Sequence, residues 1–174
     1  MASKRIKWIA ETAVLTAVLL VLQFATKPMG QLVTGSCVNT VLAMAVLVAG
    51  LPSGFAVAVI SPFFAFLLGI GPQLFPLTPA IAAGNCVFVL LLRLLYKDGS
   101  MKATLLPWLI ASFGKFLSLN LLIVQILCRV LELAEKQIAI FSAMFSWPQL
   151  ITALVGSGIA LLIAPRIKTA MKKK

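Results

Sequence analysis

Six apolar stretches, each about as long as a lipid hydrocarbon core is thick, dominate this sequence and leave little chain for anything else. A core of ~30 Å takes about 20 residues of helix, and only a helix or a closed barrel satisfies its own backbone where there is no water. By that measure the spans fall near 8–26, 33–50, 54–71, 79–96, 103–127 and 146–164. A hydrophobic content of 61% lies outside the range of soluble domains. The expected fold is all-α and polytopic: a single six-transmembrane-helix bundle over residues 1–174, with no room for a soluble domain. Gly and Pro punctuate the span ends in KPMG, GLPSG and GIGPQLFPLTP. GLPSG is short enough to force spans two and three into a tight antiparallel hairpin. The uncharged connection with Pro72, Pro76 and Pro79 is expected to dip into the interface or to cover something. Residues 128–145 read either as an amphipathic helix lying on the membrane or as an extension of span five. No internal repeat of the kind that builds inverted-repeat transporters is visible.

The formal charge of +11 invites a nucleic-acid reading, but the basic residues form no binding face. Lys4, Arg5 and Lys7 precede the first span, Arg93, Lys97 and Lys102 flank the fourth-to-fifth turn, and Arg166, Lys168, Lys172, Lys173 and Lys174 follow the last. With six spans these three groups share one side. The other side holds Lys27, then Arg129 and Lys136 offset by Glu132 and Glu135. That bias predicts cytoplasmic N- and C-termini, with membrane lipid rather than nucleic acid as the neighbour of the basic ends. Cys37, Cys86 and Cys128 stand alone, and the chain has no His, so neither a metal site nor a disulfide is expected. The first apolar run is too long, and too poor in an A-x-A-like exit, for a cleavable signal peptide.

With topology assigned, each polar residue acquires a depth. Gln23, Asn39, Asn85, Asn120, Gln125, Gln149 and Thr152 all fall in the outer halves of their spans, and Lys115 lies near the midplane of span five. Helical angles group Gly35, Ser36, Asn39, Thr40 and Ala43 on one stripe of span two, and Gln149, Thr152, Ala153 and Gly156 on one stripe of span six. In span five Lys115, Ser118, Leu122 and Gln125 share a side that Asn120 does not. The glutamines can face headgroups, and the asparagines can act as interhelical glue of about 0.6 kcal/mol each or line a cavity.

Lys115 demands more. An ammonium at a helix centre costs about 2.5–3.5 kcal/mol even on insertion scales, and a ~6 Å stem does not carry it to an interface some ~15 Å away. No acidic residue lies at its depth: Glu11 is at the inner end, and Glu132 and Glu135 are outside. Two readings stand, an outward-facing cavity filled by water or ligand, and pairing with backbone carbonyls and asparagines. The first suits an anionic ligand such as a carboxylate or phosphate group. The candidate substrate-binding residues are Lys115, Asn85, Asn39, Ser118, Gln149 and Gln31.

Span one adds a small-residue face, Ala10, Ala13 and Ala17, where a partner helix could approach closely. Together with GSCVNTVLA, GLPSG and SPFFAFLLGIGP, these residues make the whole chain resemble a substrate-binding S component of an energy-coupling-factor (ECF) type ABC transporter. The resemblance implies capture of a vitamin or other small-molecule nutrient at the outer surface of a prokaryotic plasma membrane. It implies as partners a transmembrane coupling subunit, docked on Ala13 and Ala17, and two cytosolic ATPases. It also makes the stretch from Lys27 to Thr34 part of the ligand site. The chain has no GxxxxGK[ST] phosphate loop, so ATP hydrolysis belongs to the partners and no cofactor is expected. Aromatic residues in the outer halves of spans four to six are limited to Phe88, Phe113, Phe116 and Trp147, which favours a smaller or carboxylate-bearing ligand over a flat heterocycle.

The alternative is a self-sufficient small secondary transporter or channel. It would need a polar route through both halves, and the inner half offers little beyond Thr16, Ser53, Ser61 and Thr104. An enzyme is disfavoured, since no His and no Ser nucleophile beside a base is present.

Overall fold

The computed structural model describes residues 2–96 and 101–172, and the side chains of residues 5–96 and 104–171. Of the basic residues that carry the orientation argument, Lys97, Lys173 and Lys174, and the side chains of Lys4, Lys102 and Lys172, lie outside what is described. Helix α1 (Ala2–Thr26) leads through a 3-10 turn into α2 (Gln31–Met44), which runs on as a π-helix, Ala45–Ala49. There follow α3 (Leu51–Leu67), α4 (Leu77–Leu95) and α5 (Met101–Leu119), the last extended by a π-helix, Asn120–Leu127, and a final turn α6 (Cys128–Val130). Two more helices, α7 (Glu135–Met144) and α8 (Trp147–Lys172), complete the chain.

Among the described residues there is no strand. Five helical stretches among the described residues are long and apolar enough to cross a membrane, as in a multi-pass membrane protein, and α3 falls just short at 17 residues. The segment 128–145 divides: its start prolongs α5, Glu132 then takes a left-handed conformation at φ 47°, and α7 begins afresh.

The turns form where the sequence supplies the residues for them. Gly30 at φ 83° and Gly50 at φ 94° sit immediately before α2 and α3, in backbone that an L side chain adopts only under strain. Pro52 lies in the first turn of α3, where a missing N–H costs nothing.

Two close approaches set the bundle. The polar stripes of α2 and α8 meet face to face, because Gly35 and Gly156 remove the side chains that would hold the helices apart. A Cβ on Gly156 would stand 2.6 Å from the Cβ of Asn39, and one on Gly35 would stand 2.9 Å from Thr152 Cγ2. Between α4 and α5, Gly84 gives room to Leu119 and Gly114 to Leu91. Below these contacts Leu42, Val46, Val57, Phe88, Val89 and Leu92 form a core that solvent does not reach.

The neighbouring glycines Gly156 and Gly158 separate contact from mere presence. Gly156→Ala is expected to lower the thermal unfolding midpoint of the chain in detergent, by an overpacking loss of about 1–3 kcal/mol. Gly158→Ala, whose added methyl would sit 3.7 Å from Trp108, is expected to leave it unchanged or raised. Equal midpoints for the two variants would show that the α2–α8 contact is not tight.

Candidate functional site

A cavity of about 290 Å³ lies between α1, α2, α3, α4, α5 and α8. At one end its lining includes the exposed residues Lys27, Gly30 and Gly71; at the other it reaches the buried side chains of Asn39, Asn85, Ser61 and Lys115. Eight residues of α2 separate Gln31 at the mouth from Asn39 at the floor, a depth of about 12 Å at 1.5 Å per residue. Beneath Asn39 and Asn85 lies the dry core of Leu42, Val57 and Phe88, so the cavity is blind.

Lys115 is 3% exposed. Its Nζ donates to Asn39 Oδ1 and to Asn85 Oδ1, each at 2.6 Å, and stands 5.5 Å from the ring centre of Phe88. An ammonium only donates, so both carboxamides must turn their oxygens toward it. Their nitrogens then point away and need acceptors. Asn39 Nδ2 donates to Thr152 Oγ1 on α8 at 3.3 Å. Asn85 Nδ2 donates to the carbonyl of Ala58 at 3.4 Å. That carbonyl is free for a local reason: Pro62, four residues on inside α3, has no N–H with which to complete the helical bond. Thus Pro62 frees Ala58 O, Ala58 O turns Asn85, and Asn85 faces Lys115.

The structure holds a part of each reading that the sequence left open for Lys115. The lysine is bonded to two asparagines, and it also lines the cavity. Neither partner is an anion, and none of Glu11, Glu132 and Glu135 lines the cavity, whereas Lys27 and Lys115 both do. An ammonium has three donors, and the two asparagines engage two of them. The remaining one is available to whatever occupies the cavity.

Of the six residues named from the sequence, the structure brings Lys115, Asn85, Asn39, Gln149 and Gln31 around the cavity. Ser118 is not among the lining residues; its hydroxyl donates back to the carbonyl of Lys115 at 2.9 Å. Gln31 and Gln149 act as a latch at the mouth, since both Nε2 atoms donate to the carbonyl of Met144, at 2.6 and 3.2 Å. Through it the ends of α7 and α8 are held over α2, and Met144 and Phe145 join the lining. The uncharged 68–76 connection does cover something: Ile70, Gly71 and Pro72 line the same cavity, and Phe75 anchors the loop edge-on against Phe63 and Phe66.

Three placements differ from the sequence expectation. Gln23, assigned to the headgroups, is 5% exposed and lines the cavity, because α1 turns this face inward against α2 and α3. Ser61, assigned to the inner half, also lines it. Gln125 leaves the side of Lys115 because angular counting fails beyond Leu119, where the π-helix over Asn120–Leu127 turns less per residue than an α-helix. Gln125 is consequently exposed, with Arg129 Nη2 donating to its Oε1, and Asn120 donates to Phe145 O at 3.4 Å.

On α1 the residues Ala10, Ala13 and Ala17 are all exposed, flanked by exposed Ile6, Ile9, Val14 and Val18. Among the described residues no helix covers that face. Comparison with protein-family models, with characterised proteins and with solved structures finds no match to this chain.

The asparagine pair is tested by a mutant cycle. Asn85→Leu is expected to destabilise the chain by about 1–3 kcal/mol, because it strips an acceptor from a buried ammonium. Adding Lys115→Met is expected to recover most of that loss in thermal unfolding. No recovery would mean that Asn85 matters for its own contacts and not for Lys115.

Proposed function

We propose that this chain is the substrate-capture subunit of an ECF-type ABC importer, binding a small carboxylate-bearing micronutrient in the blind cavity. The single observation that carries the reading is the cavity itself: ligand-sized, open at one end, and floored by a buried lysine that no acid in the lining neutralises. Pockets for small ligands combine apolar walls with a few convergent polar groups. Here Val38, Pro62, Phe66, Ile81 and Leu119 form the walls and Lys115, Asn39 and Asn85 the floor.

In this reading the bundle crosses a prokaryotic plasma membrane six times, with α3 as the short span, sheltered between α1 and α4. The basic chain ends are cytoplasmic, so the cavity opens outward. The uncovered alanine face of α1 docks against a transmembrane coupling subunit, and two cytosolic ATPases supply the work. Membrane lipid covers the remaining apolar surface. A secondary carrier or channel is disfavoured by the dry core beneath Asn39 and Asn85, which gives a solute no onward route.

Two experiments test the proposal. Ala13→Trp is expected to abolish co-purification with a co-expressed coupling subunit while the cavity keeps its ligand affinity; normal co-purification would reject the docking face. Lys115→Ala is expected to lower affinity for the small anion extracted from the purified chain by about tenfold or more, as loss of a charge-assisted bond does. Unchanged affinity by calorimetry would remove Lys115 from the site.

A further inference from the structure

The cavity holds two buried polar atoms that no group among the described residues satisfies: Gln23 Oε1 on α1 and Ser61 Oγ on α3. Both residues are at least nine-tenths buried, at 5% and 1% exposure. Buried acceptors left bare are rare in folded proteins, and each calls for a partner. A carboxamide oxygen accepts and does not donate, so what faces Gln23 Oε1 must carry an N–H or O–H. Ser61 can give or take.

The floor sets a second requirement. Among the described residues Lys115 is the one buried cation in the lining, and its side-chain partners are neutral amides. Lys27, the other cation, is exposed at the mouth and is held to Leu68 O at 3.4 Å, well away from the floor. One compact point charge complements one negative charge. No arginine among the described residues lines the cavity to grip a phosphate dianion with two N–H groups. The described lining also lacks any carboxylate, so a ligand ammonium would find no counter-ion there and would meet Lys115 instead.

From these observations we infer that the ligand is a small monoanionic carboxylate bearing a neutral N–H or O–H donor, its carboxylate on Lys115 and its donor on Gln23 Oε1 and Ser61. The same lining is a poorer match for phosphate monoesters, whose second negative charge meets no second buried cation, for zwitterionic amino acids, whose ammonium meets no carboxylate, and for uncharged compounds, which bring no anion to Lys115. The inference rests on the capture reading above and narrows its substrate class.

The test uses the purified full chain in detergent and calorimetric titration with matched probe sets. Each set is a small hydroxy- or acylamino-carboxylate, its carboxamide, its O- or N-methyl derivative lacking the donor, its amino-acid analogue and its phosphate-monoester analogue. The expected result is binding of a hydroxy- or acylamino-carboxylate that weakens about tenfold or more when the acid becomes the amide, and about three- to tenfold when the donor is methylated. Gln23→Leu should abolish the second difference and leave the first. If the methylated acid binds as well as its parent, or if Gln23→Leu preserves the discrimination, the donor assignment is overturned. If the amide, the amino acid or the phosphate binds best and Lys115→Ala weakens it, the substrate class is overturned while the capture reading stands. A folded chain that binds nothing from any set overturns both.

Discussion

One buried ammonium organises the rest of this molecule. A lysine at this depth in an apolar bundle is tolerable only with acceptors on several sides, and the acceptors nearest to Lys115 come from two other helices, Asn39 on α2 and Asn85 on α4. Those amides must be held from behind, by Thr152 on α8 and by a carbonyl of α3 that a proline has released. The polar group thus fixes the register of five helices, α2, α3, α4, α5 and α8, around one point. Hydrogen bonds across membrane helices are individually weak, about 0.6 kcal/mol on average. Here they matter as a set, because losing one leaves a buried charge with a single acceptor.

The same set explains why a cavity survives at the floor and why it stops there. Gly35 and Gly156 let α2 and α8 close up, and Gly84 and Gly114 do the same for α4 and α5, so the bundle is tight on both flanks of Lys115. Below it the packing is mostly apolar, and its buried hydroxyls are bonded in pairs, Ser112 with Ser157 and Thr12 with Ser53. Above it the helices are held over the opening by the bonds of Gln31 and Gln149 to Met144 and by a proline-rich loop pinned by Phe75. Polarity and space therefore coincide at one end of the bundle, and dryness and close contact at the other. Outside that bundle the small-residue face of α1 has no partner among the described residues.

Much of the frame could be read from the sequence, because membrane helices follow from length and apolar character, and Gly30 and Gly50 mark turns that only glycine enters easily. Lys115 stood out for its solvation penalty, and the two stripes that meet between α2 and α8 followed from residue spacing alone. The cavity needed three dimensions. Gln23 looks like a headgroup residue until α1 is seen to turn it inward, and Ser61 gains its place from the packing of α3. The link from Pro62 to Asn85 joins residues that no periodicity connects. Ser118 shows the reverse failure: it lies three residues from Lys115, but a serine in a helix can bond to its own backbone and leave the cavity. Angular counting also assumed a uniform helix, and the π-helical stretch after Leu119 broke that assumption for Gln125.

The central claim, a one-ended cavity with an unneutralised positive floor, can be measured without knowing the ligand. Ser61→Cys in a chain with Cys37, Cys86 and Cys128 replaced by Ala places a thiol in the lining. Its modification by membrane-impermeant anionic and cationic methanethiosulfonates is followed in sealed vesicles of each orientation, with each rate normalised to a free thiol. The account predicts reaction only from the side of Lys27, with the anionic reagent favoured and that preference lost on Lys115→Met. Equal normalised rates, or reaction from the side of the chain ends, would contradict it.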